Sequence, residues 1–364
     1  MKRPFAQTFN LFLIMVLFLT SNVPTMAMEK VAWKKILDQP KSWYGGAEAT
    51  RIANNILLFQ KDNGGWFKNI DMSVELDEEE KERLRKEQSE VMGTTIDNDA
   101  TFIQTEFLAK VYQETHESRF AEGVLNALDY LMDAQYENGG WPQYYPIREG
   151  YWAEITFNDG AMIQAMETLK DVAEANFPYD FLDENRRRRA QKAIDQGLEM
   201  ILKAQIEVDG KLTAWCAQHD RDDLSPVKGR AYELPSISGG ESVGVVKYLM
   251  GLEDPDERVI QAIESAVEWF EEVKIEEKKV VRKEDPSLHR GHDRLVVEDE
   301  DAGPLWARFY EIGTNRPMFV GRDGVVRYRL ADIEHERRVG YSYLGNYAEK
   351  LLEEYYPTWK SSVK

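Results

Sequence analysis

The most regular feature of the chain is an apolar segment that recurs and ends in a glycine pair and a tryptophan. Residues 56–66 read ILLFQKDNGGW, and residues 130–141 repeat the pattern as YLMDAQYENGGW. A weaker copy covers residues 200–212, and residues 265–270 resemble the apolar part of a fourth. The apolar positions follow the period of a helix, and Asn-Gly or Asp-Gly is typical of the left-handed residue that ends one. The pattern predicts a repeat of helices.

A second helix, with smaller residues, is predicted after each loop. Residues 95–101 (TIDNDAT) and 156–162 (TFNDGAM) open two such helices, and residues 238–242 (SGGES) precede a third. Helices that alternate in this way pair as hairpins, and a ring of hairpins forms a toroid with its loops at one end. We therefore predict an all-α fold, an (α/α) toroid. Short strands are expected only around residues 278–282 and 324–328.

Two segments lack a sustained helical period, residues 207–240 and 283–324. Loops of this length in compact proteins are usually functional. Neither segment has the composition of a linker, so the sequence predicts one catalytic domain over residues 28–364.

The first 27 residues are typical of a secretory signal peptide. Lys2 and Arg3 precede an apolar run at residues 11–19, and Thr25-Met26-Ala27 resembles a small-residue cleavage site. The run is short for a membrane span, although an uncleaved anchor is the alternative. Cys216 is the only cysteine, so no internal disulfide can form and stability has to come from a packed core.

The net charge of the chain restricts which classes of partner it can bind. The 364 residues include 46 Lys and Arg against 65 Asp and Glu, a formal charge of -19. Nucleic acid needs a basic face, which this charge makes hard to assemble, so we expect no nucleic-acid partner. After removal of the signal peptide we expect no membrane association. An acidic ligand would require a local cluster of cations or a bound metal.

Three oxygen-bearing side chains lie at the starts of two neighbouring predicted helices: Asp97, Asn98 and Asp159. In a toroid these helix starts converge on the loop face. Carboxylate and amide oxygens are the ligands that calcium takes. Asp and Asn are also the preferred helix N-caps, so capping alone is the alternative.

Both long loops carry cations that could act on an acidic ligand. Lys228 and Arg230 suit either recognition of a carboxylate or a basic role in catalysis, whereas ion pairs of Arg230 with Glu233 and of Arg221 with Asp223 are the alternative. Residues 304–319 interleave arginine with aromatic residues. Such a surface can bind an acidic sugar, although a packing role for the aromatic residues is equally compatible.

Together these segments resemble polysaccharide lyase family 10, the pectate lyases, in order over nearly the whole chain. The resemblance rests on both Asn-Gly-Gly-Trp motifs, residues 95–101 and 156–161, residues 228–233 and residues 304–319. It implies a secreted enzyme with three helical hairpins and long loops that form a cleft. It also implies calcium-assisted β-elimination of polygalacturonate, an acidic polysaccharide.

The resemblance also implies individual roles. Arg230 would be the Brønsted base, with a pKa lowered by calcium and neighbouring cations. Arg316 would bind the uronate carboxylate, and Lys228 would assist from the same loop as Arg230. The implied calcium ligands are Asp159, Asp97 and Asn98, with Asp97 also contacting substrate.

Two other functions are compatible with the residues. A glycoside hydrolase on a related toroid would use Asp97 and Asp159 as general acid and base, without calcium. A non-catalytic glycan-binding protein would use the aromatic and arginine surface to hold oligosaccharides.

Overall fold

Helices dominate the computed structural model, which describes residues 31–363. The predicted signal peptide, residues 1–27, lies outside the described residues. From Ala32 onward the chain packs as one compact unit. The α-helices of the described chain are α1 (Ala47–Phe59), α2 (Glu78–Lys86), α3 (Phe102–Thr115), α4 (Ser118–Asp133), α5 (Ala161–Ala173), α6 (Glu184–Ala204), α7 (Glu241–Met250), α8 (Glu257–Glu272), α9 (His335–Gly340) and α10 (Tyr356–Ser362).

The longer helices form the predicted (α/α) toroid. Three hairpins, α3–α4, α5–α6 and α7–α8, follow one another along the chain. The first helices of the hairpins contact in the order α3, α5, α7, and the second helices contact in the order α4, α6, α8, with α1 against both α3 and α4. This arrangement confirms the toroid and the three hairpins. No helix within residues 31–363 is both long and apolar enough to cross a membrane.

A buried tryptophan follows each of the outer helices α1, α4, α6 and α8 and binds back to the end of that helix. The four indoles are fully buried, and each Nε1 donates a hydrogen bond of 2.8 or 2.9 Å to a carbonyl in the last turns of the preceding outer helix. The pairs are Trp66 with Ile56, Trp141 with Leu131, Trp215 with Ile201, and Trp306 with Phe270. Carbonyls at a helix end have no partner inside the helix, so these bonds stabilise the helix ends.

A glutamine joins each repeat to the next. The side-chain amide of Gln60 donates to a carbonyl of its own loop and to Gly123 in α4. Gln135 and Gln205 make the same pair of bonds in the following repeats, with α6 and α8. The repeat visible in the sequence is therefore a repeat of hydrogen bonds as well as of apolar positions.

The strands are short, antiparallel and paired in twos. They are β1 (Ile155–Thr156) with β4 (Gln218–His219), β2 (Glu207–Val208) with β3 (Lys211–Leu212), β5 (Ile237–Ser238) with β9 (Phe309–Tyr310), β6 (Lys278–Glu284) with β7 (His292–Glu298), β8 (Trp306–Ala307) with β12 (Leu344–Gly345), and β10 (Phe319–Val320) with β11 (Val326–Arg327). β6 and β11 confirm the two strands predicted from the sequence. The other ten strands of residues 31–363 were not predicted, so the expectation that strands occur only at those two positions is wrong.

Candidate active site

The candidate site lies where α3, α5 and α7 begin. One backbone hydrogen bond recurs before each of these helices, from Thr95, Thr156 and Ser238 to the carbonyl of the buried tryptophan of the same repeat. The three loops are therefore in register. Three residues farther on, equivalent positions carry Asn98, Asp159 and Glu241. The repeat thus brings a polar side chain from each hairpin to the same end of the toroid.

A cavity of about 120 Å³ collects most of the predicted site residues. Asp97, Asn98, Asp159 and Arg230 all line it. The remaining lining residues are Lys68, Gln143, Tyr151, Trp152, Asn158, Gln218 and Glu233. The structure therefore joins loops that are far apart in the chain into one polar cavity.

Asp97 is buried, and its two carboxylate oxygens differ. Oδ2 accepts a hydrogen bond from the Lys68 ammonium, whereas Oδ1 is buried without a partner. Burial lowers the pKa of Lys68, but the bond to Asp97 and its charge outweigh this effect and raise that pKa above its usual value. Asp97 does not cap α3. That helix begins at Phe102 after the N-cap residue Thr101, and no side chain makes a capping hydrogen bond there. Lys68 was not singled out in the sequence.

Asn98 and Asp159 have left-handed backbones, with φ of 53° and 52°. Such conformations are uncommon outside glycine and recur at functional sites. Asp159 Oδ2 accepts a hydrogen bond of 2.7 Å from Asn158, and its Oδ1 lies 3.5 Å from an Arg308 Nη2. Asp159 does not cap α5, whose first turn follows Gly160. For these residues the capping alternative is wrong.

Arg308 is the arginine of residues 304–319 that reaches the site. Its guanidinium contacts Asp159 and forms an ion pair with Glu241, the first residue of α7. Burial lowers the pKa of Arg308, but the charge of Glu241 more than compensates, and the pKa is raised. The sequence marked this segment for its interleaved arginine and aromatic residues, but it did not distinguish Arg308 from its neighbours.

Arg316, the residue predicted to bind the uronate carboxylate, is not among the residues that line the cavity. Its guanidinium stacks on Tyr328, 3.4 Å from the ring centre. Arg308 lies between β8 and β9, whereas Arg316 follows the turn after β9, and its backbone carbonyl accepts a hydrogen bond from the Glu311 amide. The role of Arg316 stays a prediction, and Arg308 is the arginine of this segment that contacts a residue of the cavity, Asp159.

Arg230 lines the cavity and is held by Glu233. Its Nε donates to Glu233 Oε2 at 2.8 Å, its Nη2 donates to Oε1, and the Tyr341 hydroxyl donates to the same Oε1 at 2.8 Å. Burial lowers the pKa of Arg230, but the hydrogen bonds and charge of Glu233 outweigh it and raise the pKa. Without metal the pKa of Arg230 is therefore raised, so the lowering expected from calcium stays a prediction, and the ion pair with Glu233 is confirmed.

Lys228 and Arg221, two other cations of the loop 207–240, do not line the cavity. Lys228 is exposed. Arg221 faces Glu149 at 3.9 Å, whereas Asp223 accepts a hydrogen bond from the Ser225 amide. The proposed pair of Arg221 with Asp223 is therefore wrong.

The oxygen donors fit a calcium site only in part. Within residues 31–363, no group of three or more His, Cys, Asp or Glu side chains is arranged to hold a metal. Asp97, Asn98 and Asp159 supply two carboxylates and an amide, and the unpartnered Oδ1 of Asp97 is suited to a hard cation. Calcium takes six to eight oxygen ligands, so this set would need further oxygens from substrate and water.

Comparison with known proteins places the chain among polysaccharide lyases. The pectic acid lyase family matches residues 60–352. A family 10 polysaccharide lyase from Cellvibrio cellulosa is 35% identical, with a TM-score of 0.72, over 86% of this chain and 94% of that chain. An aspartate-to-alanine mutant of a family 10 lyase from the same organism, in complex with trigalacturonic acid, is 35% identical, with a TM-score of 0.72, over 87% of this chain and 96% of that chain. The search of curated proteins found no match.

Proposed function

The chain belongs to the pectic acid lyase family and is a pectate lyase, and we propose that it cleaves polygalacturonate outside the cell by calcium-assisted β-elimination. The observation that carries this proposal is one cavity lined by Asp97, Asp159 and Arg230. The similar lyase in complex with trigalacturonic acid supports the choice of an acidic galacturonate substrate.

The elimination requires removal of the proton on C5 of a galacturonate next to its carboxylate. The electrons of the C5–H bond form the C4–C5 double bond, and the C4–O bond breaks, with its electron pair leaving on oxygen. The adjacent negative carboxylate opposes this step, so cationic groups have to offset its charge. Calcium bound by Asp97, Asn98 and Asp159 would supply a Lewis acid for that purpose.

The protein's own cations have distinct tasks in this scheme. Arg308 lies beside Asp159, where its guanidinium can pair with a substrate carboxylate oxygen. Lys68 holds Asp97 in place. Arg230 is the proposed base, and its neutral form would take the C5 proton. Because Glu233 raises the pKa of Arg230, this form is rare at neutral pH, and activity should climb under alkaline conditions.

The two alternatives are less well supported by the geometry. A hydrolase needs one protonated carboxylic acid, but Asp97 faces Lys68 and Asp159 faces Arg308. A binding protein would need no candidate base, whereas Arg230, the candidate base, lines the cavity. Elimination is therefore the function that these contacts favour.

The test is ultraviolet absorbance of the unsaturated product from polygalacturonate at alkaline pH, with calcium and then with chelator. We expect absorbance to rise only with calcium and to be lost in Arg230→Ala. Arg221→Ala, on the same loop but outside the cavity, is the matched control and should retain activity. New reducing ends without absorbance would indicate the hydrolase, and binding without either signal would indicate the glycan-binding protein.

Secretion is the second part of the proposal, and it rests on residues 1–27. Expression of the full chain in a secreting host, followed by mass spectrometry of the protein in the medium, tests it. We expect a mature N-terminus at Met28. Retention of residues 1–27 in a membrane fraction would support the uncleaved anchor instead.

A further inference from the structure

A second and larger cavity opens beside the catalytic one. Its volume is about 840 Å³, and it shares Asn98 and Asp159 with the catalytic cavity, which is only about 120 Å³. Pockets of about 300–1,000 Å³ are the usual size for a bound ligand. The larger cavity, named here the side groove, therefore continues from the proposed site of cleavage and has room for more of a polymer than the reacting sugar.

One wall of the side groove comes from the N-terminal turn Trp33–Lys35. This turn precedes residues 60–352, the part of the chain that the family match covers. The other wall is formed by residues 69–71 and by the start of α3, including Ile103. The groove thus combines an element outside the family match with the loops that carry Asn98 and Asp159.

Trp33 is the aromatic residue that lines this groove. It is half-buried, and within residues 31–363 no aromatic ring or cation stacks on its indole. Trp152 in the catalytic cavity differs, because Arg148 lies 3.6 Å from its ring centre and Tyr151 packs at 4.3 Å. An indole that lines a groove without a stacked ring or cation is a suitable platform for the apolar face of a sugar ring.

The charge of the side groove is acidic. Among residues 31–363, Asp71, Asp99 and Asp159 line it with one cation, Lys34, and Asp159 is the carboxylate assigned above to calcium. Asp159 also contacts Arg308, whereas within the described part of the chain Asp71 and Asp99 accept hydrogen bonds from neutral groups of Ser73 and Gln164. A free uronate carboxylate would meet like charges here, whereas a methyl ester would not.

We propose that the side groove binds the galacturonan chain beyond the sugars at the cleavage site, with a sugar ring on Trp33, and that it favours methyl-esterified residues over free acids. This inference rests on the proposed function, because it takes the polymer in the catalytic cavity to be a galacturonan. The two cavities would then prefer different forms of the sugar. The catalytic cavity would bind a galacturonate with a free carboxylate at the bond that breaks, and the side groove would bind a methyl-esterified residue farther along the polymer.

The first experiment compares kcat/KM on trigalacturonate and hexagalacturonate. In Trp33→Ala the ratio of hexamer to trimer should fall by about three- to ten-fold, the loss of one aromatic contact. Lys35→Ala changes an exposed residue of the same turn that does not line the groove, and its ratio should equal that of the unmodified protein. An unchanged ratio in Trp33→Ala would overturn the proposal. Absence of unsaturated product from either oligomer with the unmodified protein would overturn the proposed function, and this inference with it.

The second experiment tests the charge preference with hexagalacturonates that carry a methyl ester at one terminal residue. For one of the two ends we expect kcat/KM to exceed that of the free acid by about two- to five-fold, the size of an exposed charge interaction. The isosteric variant Asp71→Asn/Asp99→Asn should remove this preference by raising kcat/KM for the free acid. Equal rates on esterified and free hexamers, or a preference that survives the double variant, would overturn the assignment of ester selectivity.

Discussion

Glu233 is the residue whose charge most directly affects the proposed base. It binds the Arg230 guanidinium through both carboxylate oxygens and also accepts from Tyr341. These contacts orient the guanidinium, but they raise the pKa of Arg230 and so reduce the fraction of neutral base. Orientation and basicity therefore act against each other at this residue.

The variant Glu233→Gln separates the two effects. Without the carboxylate the pKa of Arg230 should fall, so the alkaline rise of kcat/KM should move to lower pH, while the loss of orientation lowers the maximum rate by about ten-fold or more. A pH–rate profile of both proteins measures the shift. Tyr341→Phe, which removes a hydroxyl but no charge, should leave the position of the rise unchanged. A rise at the same pH in Glu233→Gln would show that Arg230 is not the titrating base.

His219 should make the free energy of unfolding depend on pH. It is fully buried, its Nδ1 donates to Leu224 O at 2.8 Å, and its Nε2 accepts from the Cys216 amide at 3.1 Å. Burial lowers the pKa of His219 to about 4 from 6.5. Between these values the unfolded chain binds more protons than the folded chain, so the free energy of unfolding should fall as pH drops through this range, by roughly 3 kcal/mol at most.

Denaturant unfolding at pH 7 and pH 4.5 measures this dependence. His219→Gln keeps a donor and an acceptor but cannot titrate, so it should be less stable at pH 7 and lose less stability on acidification. His116→Gln, at the exposed end of α3, is the control and should behave as the unmodified protein does. If His219→Gln lost as much stability in acid as the unmodified protein, other groups would be responsible.

At the scale of elements, the first two glycine loops pack tightly against the next outer helix, through Gly64 and Gly139. Gly139 has φ of +98°, and a Cβ there would lie 2.0 Å from the backbone oxygen of Gln196 in α6. Gly210 has φ of +79° in the equivalent weaker copy, but nothing lies within 4 Å of its Cβ position. The two glycines therefore share the backbone requirement and differ only in packing.

Gly139→Ala should lower the free energy of unfolding by about 3 kcal/mol or more, since it adds a backbone clash to the cost of a left-handed alanine. Gly210→Ala should cost only about 1 kcal/mol, the conformational part alone. Denaturant titration of both variants measures the difference. Equal losses would mean that α6 shifts to accept the new methyl group and that this contact is not a rigid one.

At the scale of the whole molecule, an acidic protein binds an acidic polymer. The net charge is -19, whereas at the cavity and directly beside it the cations Lys68, Arg230 and Arg308 form ion pairs with Asp97, Asp159, Glu233 and Glu241. The charges at the site therefore nearly cancel, and the acidic substrate is repelled by negative charges on the protein surface far from the site. Because salt screens distant charges more than close pairs, moderate salt should favour encounter with substrate.

We expect kcat/KM for trigalacturonate to rise about two-fold or more between roughly 0.01 M and 0.15 M NaCl at constant free calcium. The less acidic variant Glu79→Lys/Glu90→Lys changes exposed residues outside the cavity and should show a smaller rise. A fall in kcat/KM with salt in the unmodified protein would mean that attraction by the cations of the site dominates the encounter.

The sequence alone was sufficient for the features that depend on local spacing. The helical period, the glycine stops and the repeated tryptophans determined the toroid, because the same short-range geometry recurs in each hairpin. The same register placed Asp97, Asn98 and Asp159 at helix starts that converge. Arg230 and its ion pair with Glu233 could be predicted as well, since the two residues are only three positions apart.

Only the tertiary structure decided which distant residues complete the cavity. Lys68 reaches Asp97 from a loop 29 positions earlier, and Arg308 reaches Asp159 across 149 positions. Arg308 and Arg316 lie in the same arginine-rich segment, but Arg308, between the short strands β8 and β9, contacts Asp159, whereas Arg316 stacks on Tyr328. Side-chain direction in an irregular loop depends on contacts with other parts of the chain, which no local spacing encodes.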